Sequence, residues 1–265
     1  MKDTEKKPID HLLKLAADMH KVLTYNYLDR VTDKQLLVDL IAISDGLTVR
    51  EYNLVNQTLF RARIGSFDDL PDVLYPPCHL VTRHGRLNGI GETTFYCSNR
   101  KDTAVLELRP SVGDLITILE LSFDSIDVFG VGMDMSALIG SHPEDFRHAI
   151  QGRIDFLSQP PTLFGLLRTD MVNAFFHRLI TSPGSSIGHR ITGVFSKHLF
   201  KNCTGLMFPC SVSTDLAMRF GAGNFALKPE FVDKNAKFKT MTVCEVIERN
   251  ANFSILRPRK TLKLN

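Results

Sequence analysis

The sequence has no tryptophan, no long apolar run and no block of charges of one sign. Apolar residues make up 43% of its 265 residues, yet no stretch of them is long enough to cross a bilayer. The first eight residues are charged and precede an amphipathic stretch, unlike a secretory signal peptide. These absences predict a cytoplasmic protein without a membrane partner.

The charge balance is close to neutral, with 32 Lys and Arg against 29 Asp and Glu. Mild basicity suits an anionic ligand, but nucleic-acid-binding domains concentrate more basic charge on one face. We therefore expect no nucleic-acid partner. The length suits one sizeable core, or one domain with an extension, and the composition argues against disorder.

The cysteines, the histidines and the Cys210-Ser211 pair do not stand in the motifs of metal sites or covalent hydrolases. The cysteines lack the CxxC spacing of a zinc site, and the nine histidines lack HxxxH-type spacing. The Cys210-Ser211 pair lacks a nucleophile elbow of the GxSxG kind. We expect no bound metal, no serine or cysteine hydrolase, and reduced thiols at Cys78, Cys97, Cys203, Cys210 and Cys244.

Helical patterns fill the first part of the chain. Apolar residues at helical spacing between Ile9 and Leu23 predict an amphipathic helix over about residues 9–25. Asp33 is expected to cap a second helix, and Thr48 with Glu51 forms a capping-box pattern that predicts a short third one. Residues 1–57 are thus interpreted as a helical extension without recognisable chemistry.

From Thr58 the pattern changes to β-rich runs, then helices, then strands again, so the main domain is predicted over residues 58–265. Helices are predicted after a capping box at Ser141 and Glu144, and over TDMVNAFFHRLI and GHRITGVFSKHLF. The tail RPRKTLKLN is expected to be a solvated basic end. Strands are predicted at TLFRAR, HLVTR, TTFYCS, LITILELSF, GLMFPCSV, NFALKP and KFKTMTVCEVIE.

A glycine-rich segment around Arg86 carries the first candidate chemistry. Its glycines allow a loop that cradles a phosphate, although Asn88-Gly89 equally fits a hairpin turn. A guanidinium in such a loop can hold a diphosphate through two parallel hydrogen bonds, or simply lie at the surface. The residues alone leave both alternatives open.

The same segment continues to Tyr96 and Glu107. Ser98 is a candidate N-cap for a helix that places Thr103 and Glu107 one turn apart on one face. A carboxylate among apolar neighbours is either solvated at a helix edge or held at a site, because unpaired burial is costly. Tyr96 likewise fits either a half-buried strand position or a site.

Together these motifs resemble the RES domain family, named for its arginine, glutamate and serine, over about residues 59–232. Leu87 stands where the family usually has an aromatic residue, and either Cys210 or Ser211 can occupy the serine position. The matching motifs are Phe60-Arg61, Gly85-Arg86-Leu87-Asn88, Gly91, Phe95-Tyr96, Ala104 to Glu107, and Gly205 to Ser211.

The resemblance implies an α+β fold similar to NAD-dependent ADP-ribosyltransferase toxins and an enzyme that removes nicotinamide from NAD. NAD would be a substrate, so no cofactor is expected. Catalysis would rest on Glu107, Arg61 and Tyr96, and substrate binding on Arg86, Asn88 and Ser211. By this resemblance Glu107 contacts the nicotinamide ribose, the arginines hold the diphosphate, and Tyr96 packs on the nicotinamide or ribose.

In this family the ADP-ribose passes to water or phosphate, and the activity usually serves as the toxin of a toxin–antitoxin pair. The resemblance therefore implies an antitoxin partner, and homo-oligomerisation stays open. Two alternatives remain. ADP-ribose could be transferred to a protein, or the domain could bind a nucleotide without turnover.

Overall fold

Helices and one mixed sheet form the α+β fold that the sequence predicts. The computed structural model describes residues 3–45, 47, 49–131, 163–181, 186–210, 212, 222–250 and 254–264.

The first two helices predicted near the N-terminus and the two predicted over TDMVNAFFHRLI and GHRITGVFSKHLF are confirmed. No helix among the residues that the structure describes is long and apolar enough to cross a bilayer. The helix predicted after Ser141 and Glu144 lies outside the described residues. The described helices are α1 Asp3–Val22, α2 Tyr25–Leu28, α3 Asp33–Ser44, α4 Leu70–Val73, α5 Lys101–Glu107, α6 Leu163–Thr181, α7 Ser186–Leu199 and α8 Pro229–Asn235, with single 3₁₀ turns at Cys78–Leu80 and Phe200–Asn202.

Seven strands form one sheet in the order β1-β2-β5-β4-β3-β6-β7. β1 also pairs with β3, so the first five strands of this order close into a small barrel. The long β3 makes this possible, because Val128 to Gly130 pair with β4 while Leu115 to Ser122 pair with β6. The strands are β1 Arg50–Ile64, β2 Phe95–Ser98, β3 Leu115–Gly130, β4 Gly205–Pro209, β5 Gly223–Leu227, β6 Lys237–Arg249 and β7 Ser254–Lys263.

Three local predictions are wrong. Glu51, expected to lie in a short third helix, belongs instead to the start of β1, where it pairs with Phe129, and Thr48 lies outside the described residues. Pairing with a distant strand outweighs a local capping pattern. HLVTR forms no strand, since it follows two prolines and opens with a 3₁₀ turn. The basic tail is β7, paired with β6, although its Arg and Lys side chains are exposed.

Two predicted caps are shifted in the structure. Thr32, not Asp33, caps α3 by accepting a hydrogen bond from the Gln35 amide at 3.3 Å. Arg100 occupies the N-cap position of α5, and Ser98 lies in β2. Each prediction located the helix and missed its boundary by one or two residues, which is the usual uncertainty of capping signals.

Two large cores lie on the two faces of the sheet. In one, the apolar faces of α1 and α3 pack with α6 and α7 against β4 and β5, so the N-terminal helices complete this core. The other core lies on the opposite face of the sheet, around Leu59, Phe95, Leu119 and Phe225. The division into an extension of residues 1–57 and a domain of residues 58–265 stays a prediction; β1 itself begins at Arg50.

Candidate active site

One open cavity of about 350 Å³ brings together residues that are distant in the sequence. Strands β1, β2 and β5 and helices α5 and α7 all contribute to its wall. The four residues that the sequence singled out, Arg61, Arg86, Tyr96 and Glu107, all line it. The rest of its lining is Phe60, Ala62, Arg63, Cys97, Ser98, Ala104, Leu108, His189, Phe208 and Asn224.

Arg61 is fixed in the wall by main-chain carbonyls. Its Nε donates to the Val73 carbonyl at 2.6 Å and its Nη1 to the Tyr96 carbonyl at 2.8 Å. The guanidinium also lies over the Phe95 ring, 5.1 Å from the centroid. Burial lowers the pKa of Arg61 to about 10, so the side chain stays cationic at neutral pH. The result is a fixed positive charge at the cavity.

Arg86 and Glu107 face each other across the cavity. Arg86 Nη1 lies 3.4 Å from Glu107 Oε2, and their side chains are 18% and 19% exposed. Arg86 also lies over the Phe208 ring at 5.8 Å. A contact of 3.4 Å is long for a charge-assisted hydrogen bond, so a ligand anion can compete for this guanidinium.

Glu107 is the last residue of α5, whose preceding turn is buried from Thr103 to Leu106. Asn224 Nδ2 donates to Glu107 Oε1 at 2.6 Å. Ser98 Oγ in turn donates to Asn224 Oδ1. The carboxylate thus receives hydrogen bonds on both oxygens and is held toward the cavity by a buried cross-strand pair, Ser98 and Asn224.

Tyr96 anchors the loop that carries Arg86. Its hydroxyl donates to Asn88 Oδ1 at 2.8 Å and accepts from the Leu87 amide at 2.8 Å. Burial raises the pKa of Tyr96 well above the ordinary value of a phenol, so the ring is neutral. Asn88 does not line the cavity: its side chain joins Tyr96 to the loop and also donates to the Glu92 carbonyl at 3.1 Å.

The turn centres on Arg86 and Leu87 rather than on Asn88-Gly89 as the sequence suggested. Gly85 donates to the Asn88 carbonyl at 3.0 Å, which closes the turn and projects Arg86 into the cavity. A Cβ at Gly85 would lie 2.1 Å from Asn88 Oδ1. The glycine is required because the Asn88 amide folds back over it.

The serine position remains undecided. Ser211 lies outside the described residues. Cys210 is buried with Leu106 and Ala222 in a small apolar cluster, and it is not among the cavity residues that the structure describes. Whether Ser211 or Cys210 takes the family serine role therefore stays a prediction.

Several cavity residues were missed by sequence reasoning, notably Arg63, Ser98, His189 and Asn224. His189 lies on α7, and burial, then the charges of Arg86 and His84, lower its pKa, so the imidazole is neutral at neutral pH. Nothing in a helical run such as GHRITGVF marks a histidine that faces a site. Asn224 did leave a signal, a polar residue within the apolar strand GNFAL.

No family model matches the sequence, and no curated protein matches it. Among solved structures the chain is similar to one described as the crystal structure of the M. tuberculosis MbcT-MbcA toxin-antitoxin complex. The sequences are 11% identical, the match covers 88% of this chain and 94% of that chain, and the TM-score is 0.38. A likeness this distant carries no argument about activity, so the function is argued from the cavity.

Proposed function

We propose that the cavity binds NAD and cleaves its nicotinamide–ribose bond, passing ADP-ribose to water or phosphate. The observation that carries this proposal is the meeting of Arg61, Arg86, Tyr96 and Glu107 in one cavity. These residues belong to separate motifs of the sequence. Residues on unrelated surfaces would have contradicted the RES-like interpretation.

The charges in the cavity fit a dinucleotide. Arg61, Arg63 and Arg86 supply three guanidinium groups against one carboxylate among the described lining residues. A diphosphate accepts paired hydrogen bonds from guanidinium groups. Phe60 and Phe208 add aromatic surface on which a flat base or sugar can pack. The cavity therefore suits an anionic ligand with a ring at one end.

A single carboxylate is sufficient for this reaction. The nicotinamide of NAD is cationic, so when its bond to the anomeric carbon breaks, the bonding pair moves to nitrogen and the base leaves neutral. No acid is needed to protonate it, unlike ordinary glycoside hydrolysis with two carboxyl groups. The ribose becomes oxocarbenium-like, and the Glu107 carboxylate stabilises that charge more strongly in the transition state than in the ground state.

The second half of the reaction needs only an acceptor. Water adds its oxygen to the anomeric carbon and releases a proton, while inorganic phosphate adds an oxygen that is already anionic. Both routes leave ADP-ribose attached to the acceptor and free nicotinamide. Neutral Tyr96 and cationic Arg61 contribute shape and charge to the cavity, not proton transfer.

A product assay tests the proposal. Purified protein is incubated with NAD labelled in its adenosine half, with and without inorganic phosphate, and the products are separated by chromatography and on a denaturing gel. We expect nicotinamide release with label in free ADP-ribose or its phosphate ester. Label on a protein band would favour protein transfer instead. Bound NAD without nicotinamide release over a long incubation would contradict the proposal in favour of a non-catalytic module.

A role as the toxin of a toxin–antitoxin pair is also proposed, and it rests on the RES-like motifs. Removal of NAD would arrest growth, so a cell that makes this protein would need a partner protein that blocks the cavity. Expression of the chain alone, with intracellular NAD measured, tests this role. We expect NAD loss with growth arrest, and unchanged NAD levels would contradict it.

A further inference from the structure

Asn224 is unusual for its position in the fold. It belongs to β5, Gly223–Leu227, in which every residue is buried. Asparagine is disfavoured in strands, and a buried side-chain amide is costly unless its donors and acceptor find partners. An asparagine in an apolar strand departs from the usual residue preference of strands, and such departures are expected at functional sites.

The partners of Asn224 point into the cavity. An amide donates only through nitrogen, so the 2.6 Å contact with Glu107 Oε1 fixes Oδ1 on the other side, where Ser98 Oγ donates to it. Asn224 and Ser98 are 4% and 1% exposed and are direct cross-strand neighbours. Both backbone positions are thus set by the sheet, which makes the amide a rigid support.

Asn224 and Arg86 both contact the Glu107 carboxylate, but their contacts differ in length and in charge. Asn224 approaches Oε1 at 2.6 Å, while Arg86 approaches Oε2 at 3.4 Å. Under the proposed function Arg86 turns to the diphosphate of NAD, which weakens its contact with Glu107. Asn224 has no such second task. Being neutral, it orients the carboxylate and leaves its negative charge available to the ribose.

We propose that Asn224, supported by Ser98, is a positioning residue that holds Glu107 against the nicotinamide ribose while NAD is bound. The inference rests on the proposed function. Asn224 would affect the rate of turnover only through its contact with Glu107. Substrate affinity, which depends on the arginines and the aromatic walls, is not its task.

A double-mutant cycle tests this assignment. Nicotinamide release and the Kd of non-hydrolysable carba-NAD are measured for wild type, Asn224→Leu, Glu107→Gln and the double variant. We expect Asn224→Leu to lower kcat by about 10- to 100-fold, the range for a hydrogen bond to a charged group, with Kd changed less than about twofold. In the Glu107→Gln background the same substitution should change kcat by less than about twofold.

Controls separate positioning from folding. Asn53→Leu removes a matched amide-to-carboxylate contact, Asn53 Nδ2 to Asp127 Oδ1 at 2.7 Å, on an exposed strand position away from the cavity, and should leave kcat unchanged. If Asn224→Leu does not fold, Asn224→Ala supplies the same loss of the donor in a smaller side chain.

The outcomes are distinguishable. Wild-type protein that releases no nicotinamide contradicts the proposed function, and the inference with it. Active wild type with an unchanged Asn224 variant overturns the inference alone. Losses that multiply in the double variant also overturn it, because Asn224 would then act independently of Glu107. A raised Kd with normal kcat assigns Asn224 to substrate binding instead.

Discussion

At the scale of single residues, the cavity depends on charges that are half-buried and close together. Arg86 and Glu107 are each less than one-fifth exposed and lie 3.4 Å apart. Removing one partner of such a pair leaves the other charge poorly solvated, while Asn224 compensates only the carboxylate. Several neighbours therefore stabilise the charges of Arg86 and Glu107. We expect the loss of either charge to affect function more than folding.

Tyr96 gives a first prediction. Tyr96→Phe removes the hydroxyl that links Asn88 to the Leu87 amide, leaving a buried acceptor and donor without their partner. We expect the free energy of unfolding to fall by about 1–3 kcal/mol, measured by urea denaturation. Tyr75→Phe, whose hydroxyl bonds the exposed Asp233, should change it by less than about 0.5 kcal/mol. Equal effects of the two substitutions would contradict the anchoring role of Tyr96.

Sequence motifs could identify three of the charged residues of the cavity, but not Arg63 or the supports of the charged groups. Arg61, Arg86 and Glu107 stand in short local patterns. Asn88 stands in such a pattern too, yet its side chain supports the loop behind the cavity wall. His189 reaches the cavity only through the packing of α7, so no local pattern could reveal it.

At the scale of elements, α3 shows what the N-terminal helices contribute. Leu36, Leu40 and Ile43 are buried against α7 and the sheet, while Val38 on the opposite face is 54% exposed. The apolar stripe read from the sequence therefore completes the core. It also explains why a helical segment without chemistry is present beside the cavity.

Leu40→Ala should destabilise the protein by about 2–5 kcal/mol, the range for truncating a buried leucine. Leu40 is fully buried, so its loss leaves a void between α3 and its neighbours. Thermal or urea unfolding measures the effect. Val38→Ala is the matched control and should stay within about 0.5 kcal/mol. A neutral Leu40→Ala would mean that α3 does not pack on the core.

Gly193 in α7 allows a prediction of whether a substitution raises or lowers stability. Replacing glycine by alanine inside a helix normally stabilises by up to about 1 kcal/mol. Here a Cβ would lie 2.6 Å from the Asn88 carbonyl oxygen, so the loop that carries Arg86 must move. We expect Gly193→Ala to lower stability and weaken binding of carba-NAD, measured by calorimetry. Increased stability with unchanged binding would contradict the close packing.

Two errors of sequence reasoning at this scale have the same cause, pairing of a segment with another strand. Local signals favoured a helix at Thr48 and Glu51 and a solvated tail after Arg257. In the structure, Glu51 pairs with β3, and the tail pairs with β6. The helices α1, α3, α6 and α7 were predictable because their apolar periodicity is contained within each element.

At the scale of the whole molecule, the barrel is what turns separate motifs into one cavity. β1 supplies Arg61, β2 supplies Tyr96 and Ser98, and β5 supplies Asn224. β2 pairs directly with both β1 and β5, and the β1–β3 pairing then closes the barrel. The α+β class followed from the resemblance to the RES domain family. The closure did not, because it depends on β3 being long enough to pair with three strands.

Stability should depend on pH through two partly buried histidines, His84 in the loop before Arg86 and His189 on α7. Burial is the largest cause lowering the pKa of both His84 and His189, so the folded protein binds their protons less readily than the unfolded chain. As pH falls through the ordinary histidine value, the unfolded chain gains protons first, and stability declines.

Urea midpoints measured from about pH 7.5 down to about pH 5.5, above the range where carboxylates titrate, should therefore fall. The variant with both His84→Gln and His189→Gln should show a flatter profile. His79→Gln, which changes an exposed histidine, should not. A midpoint that rises on acidification would show the sign to be wrong.

The most direct test of the account is the rate of nicotinamide release by Glu107→Gln beside wild type. We expect a loss of about 10²-fold or more with binding of carba-NAD retained, because the neutral amide cannot stabilise the oxocarbenium charge. Glu245→Gln removes a carboxylate on β6 that pairs with Arg259 on β7, and it should keep the wild-type rate. An unchanged rate in Glu107→Gln would contradict the central claim that this carboxylate acts on the ribose.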